Sequence, residues 1–207
     1  MSIVAAAVCP MTPLLFRHLC GLADPVAELR TACVQVVQEA VADAARVVVL
    51  VPVGGREAPA TWTDPATGTG GGPLAGQVGA HLLDLAGCDL PATYAELPGA
   101  AVDGAADEPV ALLALGDGAA ARGQGAPGYV DERSFAYDDH VAALLAAGDG
   151  TGLTRLDADL GAELMATGRW TWPVLGTLLP AAEAELRWRG DPFGLSYFVA
   201  LWRPHPM

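Results

Sequence analysis

The stretch "RVVVLVPV", from Arg46 to Val53, decides the fold class of this chain. It is a short, continuous apolar run rich in β-branched valine, which is typical of a strand buried on both faces of a sheet. A similar run, Ile3 to Val8, opens the chain. Between the two, Asp24-Pro25 predicts a helix that begins with Asp24 as its N-cap and extends to about Ala45. This order predicts a right-handed βαβ unit with parallel strands.

The rest of the chain continues the alternation of strands and helices. Further strands are predicted at Ala92–Leu97 and Val110–Leu115, and further helices at Leu74–Ala86, Ser134–Ala147, Ala158–Ala166 and Pro173–Leu179, with Ser134 as a helix cap. Around Gly190-Asp191-Pro192 the pattern instead predicts a β-hairpin-like pair, or two neighbouring strands, that closes the sheet. We therefore predict an α/β fold: a single-domain sandwich over residues 1–207 with a mostly parallel central sheet flanked by helices.

Composition and charge exclude several classes of function. The net charge of −13 at pH 7 argues against nucleic acid or an anionic membrane as a partner, because phosphate binding needs clustered cations. All 11 basic residues are Arg, so catalysis through a Lys Schiff base and a P-loop are excluded. We see no signal peptide or membrane-spanning run, and the four cysteines show no CxxC spacing. We expect an acidic, cytoplasmic protein from a GC-rich bacterium.

The site is expected at one edge of the sheet. In open α/β sheets, ligands bind outside the carboxyl ends of the strands. The segments that follow the predicted strands, together with a histidine just after the first of them, supply the candidate pocket residues, which are Cys9, Met11, Thr12, His18, Gly54, Glu57, Asp117, Ala120 and Arg122. Asp117 lies in a Gly-Asp-Gly turn, and Arg122 is the nearest candidate to bind an anion. The acidic residues Asp131, Glu132, Asp138 and Asp139 are interpreted as a solvated face.

Four segments in a fixed order give the chain a resemblance to a known family. They are "CPMTPLL" (9–15), "ALGDGAAARGQGAPGYVDERSFAYDDHV" (114–141), "ATGRWTWPVLGTLL" (166–179) and "GDPFGLSYFVALW" (190–202). With the opening strand and the Gly-rich loop after the second strand, they resemble a class III extradiol ring-cleavage dioxygenase. More narrowly, the chain resembles the small bacterial subunit-B-like members of that superfamily, to which the Memo-like proteins also belong.

The resemblance implies a non-haem Fe(II) site whose ligands are substituted here. In the active dioxygenases, one His after the first strand, a second His after the second strand and a late carboxylate hold iron, which leaves positions open for catechol and dioxygen. In this chain Met11 occupies the first His position, and residues 53–57 contain no His. The position of the acid/base His falls at about Ala120, and residues 166–175 contain no carboxylate. We therefore expect no metal cofactor and interpret Met11 as a packed apolar side chain.

Three functions remain open. The first is a protein with the extradiol dioxygenase subunit-B-like fold that lacks dioxygenase activity and acts in small-molecule binding or in an assembly; the resemblance implies a homodimer. The alternative is an enzyme with a remodelled site, a metal-assisted oxygenase or hydrolase that uses Cys9, His18, Glu57 and Asp117 with Fe, Zn or Cu. The third is a structural partner protein with a large exposed apolar patch and no pocket.

The lining of the pocket distinguishes the first two functions. Three or more polar side chains that converge on a pocket at the strand ends would favour an enzyme. A pocket walled by Met11, Val53 and Ala120 would count against one.

Overall fold

The computed structural model describes residues 2–54, 57–100, 102 and 108–205. Within them, one sheet has the strand order β3-β2-β4-β1-β6-β5. The strands are β1 (Ser2–Cys9), β2 (Arg46–Pro52), β3 (Ala92–Leu97), β4 (Pro109–Leu115), β5 (Ala182–Gly190) and β6 (Tyr197–Pro204). The predicted α/β fold with a mostly parallel central sheet is confirmed, because β3, β2, β4 and β1 run parallel to one another.

Helices cover both faces of the sheet. They are α1 (Ala27–Val41), α2 (Leu74–Leu85), α3 (Arg133–Ala147), α4 (Gly150–Leu153), α5 (Ala158–Glu163) and α6 (Gly168–Leu178). Helices α1 and α2 pack on one face, where Leu29 and Leu82 are fully buried. Helices α3, α4 and α6 pack on the other face, where Val141 and Trp172 are fully buried. Both faces of β1, β2 and β4 are therefore covered, which explains their uninterrupted apolar sequences.

Strand β4 lies at the centre of the sheet, between β1 and β2. The parallel register pairs Cys9 of β1 with Leu115 of β4, and Leu50 of β2 with Ala114 of β4. The carboxyl ends of these three strands therefore lie at the same edge of the sheet. The segments that follow the three strands meet at this edge. The chain passes from β1 over β4 to β2, and ligands of open α/β sheets bind at such a crossover.

The closing strand pair is also confirmed. Strand β6 runs antiparallel to both β1 and β5. Ala200 of β6 lies opposite Val8 of β1 on one side and opposite Leu186 of β5 on the other. Strand β5 is the edge strand, and its residues alternate between covered and exposed positions. Strand β6 is buried on both faces over most of its length, because it lies between two strands under helices from both layers. Its amino end, at Tyr197, consequently reaches the same edge as the carboxyl ends of the parallel strands.

Some helix boundaries differ from the predictions. Helix α6 begins at Gly168 rather than at the predicted Pro173, which lies inside the helix. The turn before Pro173 contains the fully buried Thr171 and Trp172, and their packing extends the helix towards its amino end. Helix α5 ends at Glu163 rather than at Ala166, since Met165 has a left-handed φ of 58°. The short helix α4 has no counterpart among the predictions.

Two predicted helix caps are wrong. Helix α1 has Val26 as its N-cap, without a side-chain hydrogen bond. Asp24 instead accepts hydrogen bonds from both terminal nitrogens of Arg30, at 2.8 and 3.0 Å. Ser134 lies in the first turn of α3, is fully buried, and donates its hydroxyl to the carbonyl of Ala121 at 3.3 Å. Both side chains therefore hold neighbouring segments in place rather than terminate a helix.

The four cysteines are free thiols, with Cys9 and Cys33 buried in the core and the other two partly buried. Among the described residues, no helix has the length and apolar character that crossing a membrane requires.

Candidate functional site

Asp117 occupies the turn that follows the central strand β4. The glycines on either side of it allow very close packing, because a Cβ on Gly116 would lie 2.6 Å from Cα of Gly168, and one on Gly118 would lie 2.6 Å from Oδ1 of Asp138. The two glycines therefore let the turn pack closely against Gly168 and Asp138, with the carboxyl group of Asp117 between them in sequence. Asp117 itself is 6% exposed.

The backbone and side chain of Asp117 join three segments of the edge. Oδ1 accepts a hydrogen bond from the backbone N–H of Met11 at 2.9 Å. The backbone N–H of Asp117 donates to Oγ1 of Thr167 at 2.7 Å, and its carbonyl accepts from the N–H of Gly168 at 2.9 Å. The turn after β4 is thus tied to the turn after β1 and to the start of α6.

Burial changes the ionisation of this carboxyl group. Loss of solvent raises the pKa of Asp117 to about 7, and the hydrogen bond from Met11 only partly opposes that rise. Among the described residues, no Arg or His forms an ion pair with Asp117. A buried acid that changes charge near neutral pH is a common feature of functional sites.

A two-lobed cleft opens beside Asp117. The inner lobe has a volume of about 300 Å³ and is lined by Glu57, Asp117, Ala120, Met165, Thr167 and Leu195, together with Pro127. The outer lobe has a volume of about 310 Å³, and its lining includes Met11, Thr12, Leu14, Leu74, Phe193 and Tyr197. Glu57, Asp117, Pro127 and Leu195 line both lobes, so the two lobes are neighbours.

Met11 contributes to the site in two ways. Its side chain is 2% exposed, belongs to the hydrophobic core on the α1 face, and forms part of the outer lobe. Its backbone N–H supplies the hydrogen bond to Asp117. The side chain at this turn is therefore an apolar wall, while the turn itself positions the carboxyl group.

Thr12 and Tyr197 add hydroxyl groups to the outer lobe. The Tyr197 hydroxyl donates to Oγ1 of Thr12 at 3.2 Å, and burial raises the pKa of Tyr197. Thr12 also accepts from the N–H of Leu14 at 3.3 Å. Tyr197, Thr167, Leu195 and Met165 were absent from the sequence-based candidates. The available signal was the antiparallel direction of β6, since the start of an antiparallel strand lies beside the ends of parallel ones.

Glu57 is held by an ion pair with Arg169. The Nη2 of Arg169 donates to Oε1 of Glu57 at 2.7 Å, and its Nη1 donates to the carbonyl of Ala166 at 2.7 Å. The guanidinium group also lies 3.8 Å from the ring centroid of Trp170. Gly55 and Arg56, in the candidate stretch Gly54 to Glu57, lie outside the described residues.

The structure brings five of the nine candidates to the cleft: Met11, Thr12, Glu57, Asp117 and Ala120. Cys9 is fully buried in the core instead. The Nε2 of His18 lies 2.6 Å from Oδ2 of Asp64, with about half of the imidazole exposed. Gly54 donates its N–H to the carbonyl of Ala58 at 2.7 Å and does not line the cleft.

Arg122 does not line the cleft and instead forms ion pairs with two aspartates. Its guanidinium donates to Oδ2 of Asp138 at 3.1 Å and to Oδ2 of Asp191 at 2.8 Å. Asp138 is fully buried and also accepts from the Ser196 hydroxyl at 2.6 Å and from the N–H of Ala119 at 3.0 Å. The interpretation of Asp138 as part of a solvated face is wrong, because α3 turns this one acidic residue towards the core. These bonds hold the loop after β4 against the start of β6.

The donor set does not fit the Fe(II) centre that the resemblance implies. Met11 offers a thioether at the first ligand position, Ala120 offers no donor at the acid/base position, and the cleft has oxygen donors without a histidine among the described residues. Within the described part of the chain, no three His, Cys, Asp or Glu side chains form a group suited to a metal ion. The alternative metal ligands Cys9 and His18 do not reach the cleft.

No protein-family model matches the chain, and no curated protein matches its sequence. The resemblance to extradiol dioxygenases therefore depends on the quoted motifs, and membership of that superfamily stays a prediction.

Proposed function

We propose that this protein has the class III extradiol dioxygenase subunit-B-like fold without dioxygenase activity, and that it binds a small molecule in the two-lobed cleft. The observation that carries the proposal is the composition of the cleft. Apolar side chains surround one buried carboxyl group at the carboxyl edge of the sheet, which is the usual composition and location of a small-molecule site in an α/β fold.

Loss of dioxygenase chemistry is supported by the residues at the implied ligand positions. A catechol dioxygenase needs a metal that binds both catechol oxygens and dioxygen. The thioether of Met11 is a poor ligand for Fe(II), which favours imidazole and carboxylate. The only cleft carboxylates among the described residues are Glu57, already paired with Arg169, and Asp117, already bonded to the N–H of Met11.

Small-molecule binding is supported by the number of hydrogen-bonding groups in the cleft. Five side chains with hydrogen-bonding groups line it besides the apolar walls: Thr12, Glu57, Asp117, Thr167 and Tyr197. A purely structural partner protein would not need a buried carboxyl group at a cavity that, among the described residues, has no cation beside it, because such a group reduces the stability of the fold.

An enzyme with a remodelled site is the second candidate, and the same five side chains favour it. In that case Asp117 would be the acid/base group, since its pKa of about 7 suits proton transfer near neutral pH. The chemistry would use Asp117 and Glu57 without Cys9 or His18, which the structure places elsewhere.

The test of the proposal combines metal content with oxygen uptake. The full chain is purified without a chelator or a His-tag after growth with added iron, zinc and copper. We expect less than about a tenth of an equivalent of metal and no oxygen consumption with catechol or protocatechuate after Fe(II) is added anaerobically. Near-stoichiometric metal, or oxygen uptake that depends on catechol, would refute the loss of dioxygenase activity.

Cellular context follows from the same reading of the sequence. We propose a cytoplasmic, bacterial protein: four free cysteines support the cytoplasm, and a sequence without Lys or Asn, whose codons are AT-rich, supports a GC-rich bacterium. A homodimer is proposed from the resemblance alone. Size-exclusion chromatography with light scattering tests it.

A further inference from the structure

The two lobes of the cleft differ in chemistry. The inner lobe contains Asp117, Glu57 and Thr167, whose side-chain oxygens can all accept hydrogen bonds, while the Thr167 hydroxyl can also donate one. The outer lobe adds mainly apolar walls, including Met11 and Phe193. A ligand that fills both lobes therefore needs a polar group with hydrogen-bond donors at one end and an apolar body at the other.

When Asp117 is ionised, the described residues of the inner lobe have a net negative charge, because Arg169 balances only Glu57. Arg122 is paired with Asp138 and Asp191 instead. Neither arginine lines the cleft. Asp117 is more than nine-tenths buried, lines both lobes, and has one N–H of Met11 as its hydrogen-bond donor among the described residues. Within the described part of the chain, the ionised form of this side chain thus has no compensating charge beside it, and a ligand can supply one.

The acceptors in the inner lobe match the donors of an ammonium group. Oδ1 of Asp117 accepts from Met11, and no donor among the described residues bonds to Oδ2, which can bind a ligand. Oγ1 of Thr167 accepts from the N–H of Asp117 at 2.7 Å and retains a second lone pair. Glu57 uses Oε1 for Arg169, and Oε2 has no donor among the same described residues. A primary ammonium has three N–H donors and no acceptor, so it suits a lobe of acceptors.

We infer, given the proposed small-molecule cleft, that its ligand is a small organic amine whose ammonium group pairs with Asp117 in the inner lobe and whose apolar body fills the outer lobe. A carboxylate ligand is disfavoured by like charge with Asp117 and Glu57. A neutral alcohol forms hydrogen bonds but leaves the buried carboxylate without a counter-ion. Pairing with an ammonium lowers the pKa of Asp117 from its value of about 7, so the amine and the ionised carboxylate stabilise each other.

Three probes with the same benzyl skeleton test the charge of the ligand. Benzylamine, benzyl alcohol and benzoate are titrated into the full chain at pH 8, where the amine is protonated. The methyl signals of Met165 and Met11 report on the inner and outer lobes respectively, and each is assigned by a Met→Leu substitution. We expect benzylamine to shift both signals and to bind at least about ten times more tightly than the other two probes.

Variants test the role of Asp117. Asp117→Asn removes the charge, keeps the shape and retains an oxygen for the N–H of Met11, and it should weaken benzylamine binding by about tenfold or more. Asp43→Asn, an exposed position just before β2, makes the same change in net charge and should leave binding unaltered. Unchanged benzylamine affinity in Asp117→Asn would overturn the inference.

The outcomes separate this inference from the proposed function. Binding of benzyl alcohol or benzoate in preference to benzylamine, with shifts of the Met11 and Met165 signals, would overturn the amine but support a small-molecule cleft. Absence of binding by all three probes would overturn both.

Discussion

The buried carboxyl group of Asp117 should make the stability of this protein depend on pH, and Asp117→Asn should remove that dependence. The folded-state pKa of about 7 lies above the ordinary pKa of 3.8 for an aspartate side chain. Below about pH 4, Asp117 is protonated in both the folded and the unfolded chain, so its ionisation does not change the free energy of unfolding. Between about pH 4 and pH 7, the unfolded chain releases the proton while the folded chain retains it, so stability falls as pH rises.

The magnitude follows from the size of the pKa difference. A difference of about 3 pKa units corresponds to about 4 kcal/mol at 1.36 kcal/mol per unit, and this is an upper value for a site that borders a cleft. Asparagine cannot ionise, and its side-chain oxygen still accepts the N–H of Met11. We therefore expect Asp117→Asn to gain about 2–4 kcal/mol of unfolding free energy over the natural protein between pH 4 and pH 8.

Urea unfolding followed by fluorescence of the five tryptophans measures this difference at several pH values. The titration of every other group is common to both proteins and cancels in the comparison. Asp43→Asn, at an exposed position, supplies a flat control. A stability difference between Asp117→Asn and the natural protein that stays constant from pH 4 to pH 8 would refute the reasoning, because it would mean that Asp117 ionises normally in the folded state.

Other substitutions test the surroundings of the cleft. Arg122→Ala should destabilise the fold by about 3–5 kcal/mol, since it leaves the fully buried Asp138 without its cation, and a loss below about 1 kcal/mol in urea unfolding would contradict this. Gly118→Ala should cost about 1–3 kcal/mol in the same assay, because the added methyl group would meet Oδ1 of Asp138; an unchanged midpoint would show that the turn relaxes freely. Met11→His should not bring stoichiometric iron or catechol-dependent oxygen uptake, as measured by elemental analysis and an oxygen electrode, because the described residues of the cleft offer no other histidine as a ligand. Iron binding by that variant would mean that Asp117 and Glu57 complete a metal site.

Much of the architecture could be predicted from the sequence because strands buried on both faces leave a direct pattern. Runs such as Ile3–Val8 and Arg46–Val53 have no polar interruptions, and the alternation around Gly190 indicates a strand with one exposed face. Prediction was weaker at helix boundaries. Pro173 lies inside α6 and Asp24 caps no helix, because contacts between distant segments override the local preferences of both residues.

Part of the candidate site could also be predicted from the sequence, because the positions of the strand ends follow from the strand patterns. The rule that ligands bind at the carboxyl ends of parallel strands selected Met11, Glu57 and Asp117, which line the cleft. The same rule gives no information about Thr167 and Tyr197, because these residues precede α6 and begin an antiparallel strand. Their positions depend on hydrogen bonds between residues far apart in the chain, such as the one between Tyr197 and Thr12.

The fold class and the order of the strands along the chain could be predicted from the residues alone, and so could the presence of the apolar Met11 on the first turn. Which acidic residues are buried depends on tertiary packing. Asp138 and Asp139 are adjacent in the sequence, yet Asp138 is fully buried beside Arg122 while Asp139 lies on the surface with Arg189. The physical reason is that the free energy of a charge depends on the solvent and the partners around it, and those are brought together by long-range packing.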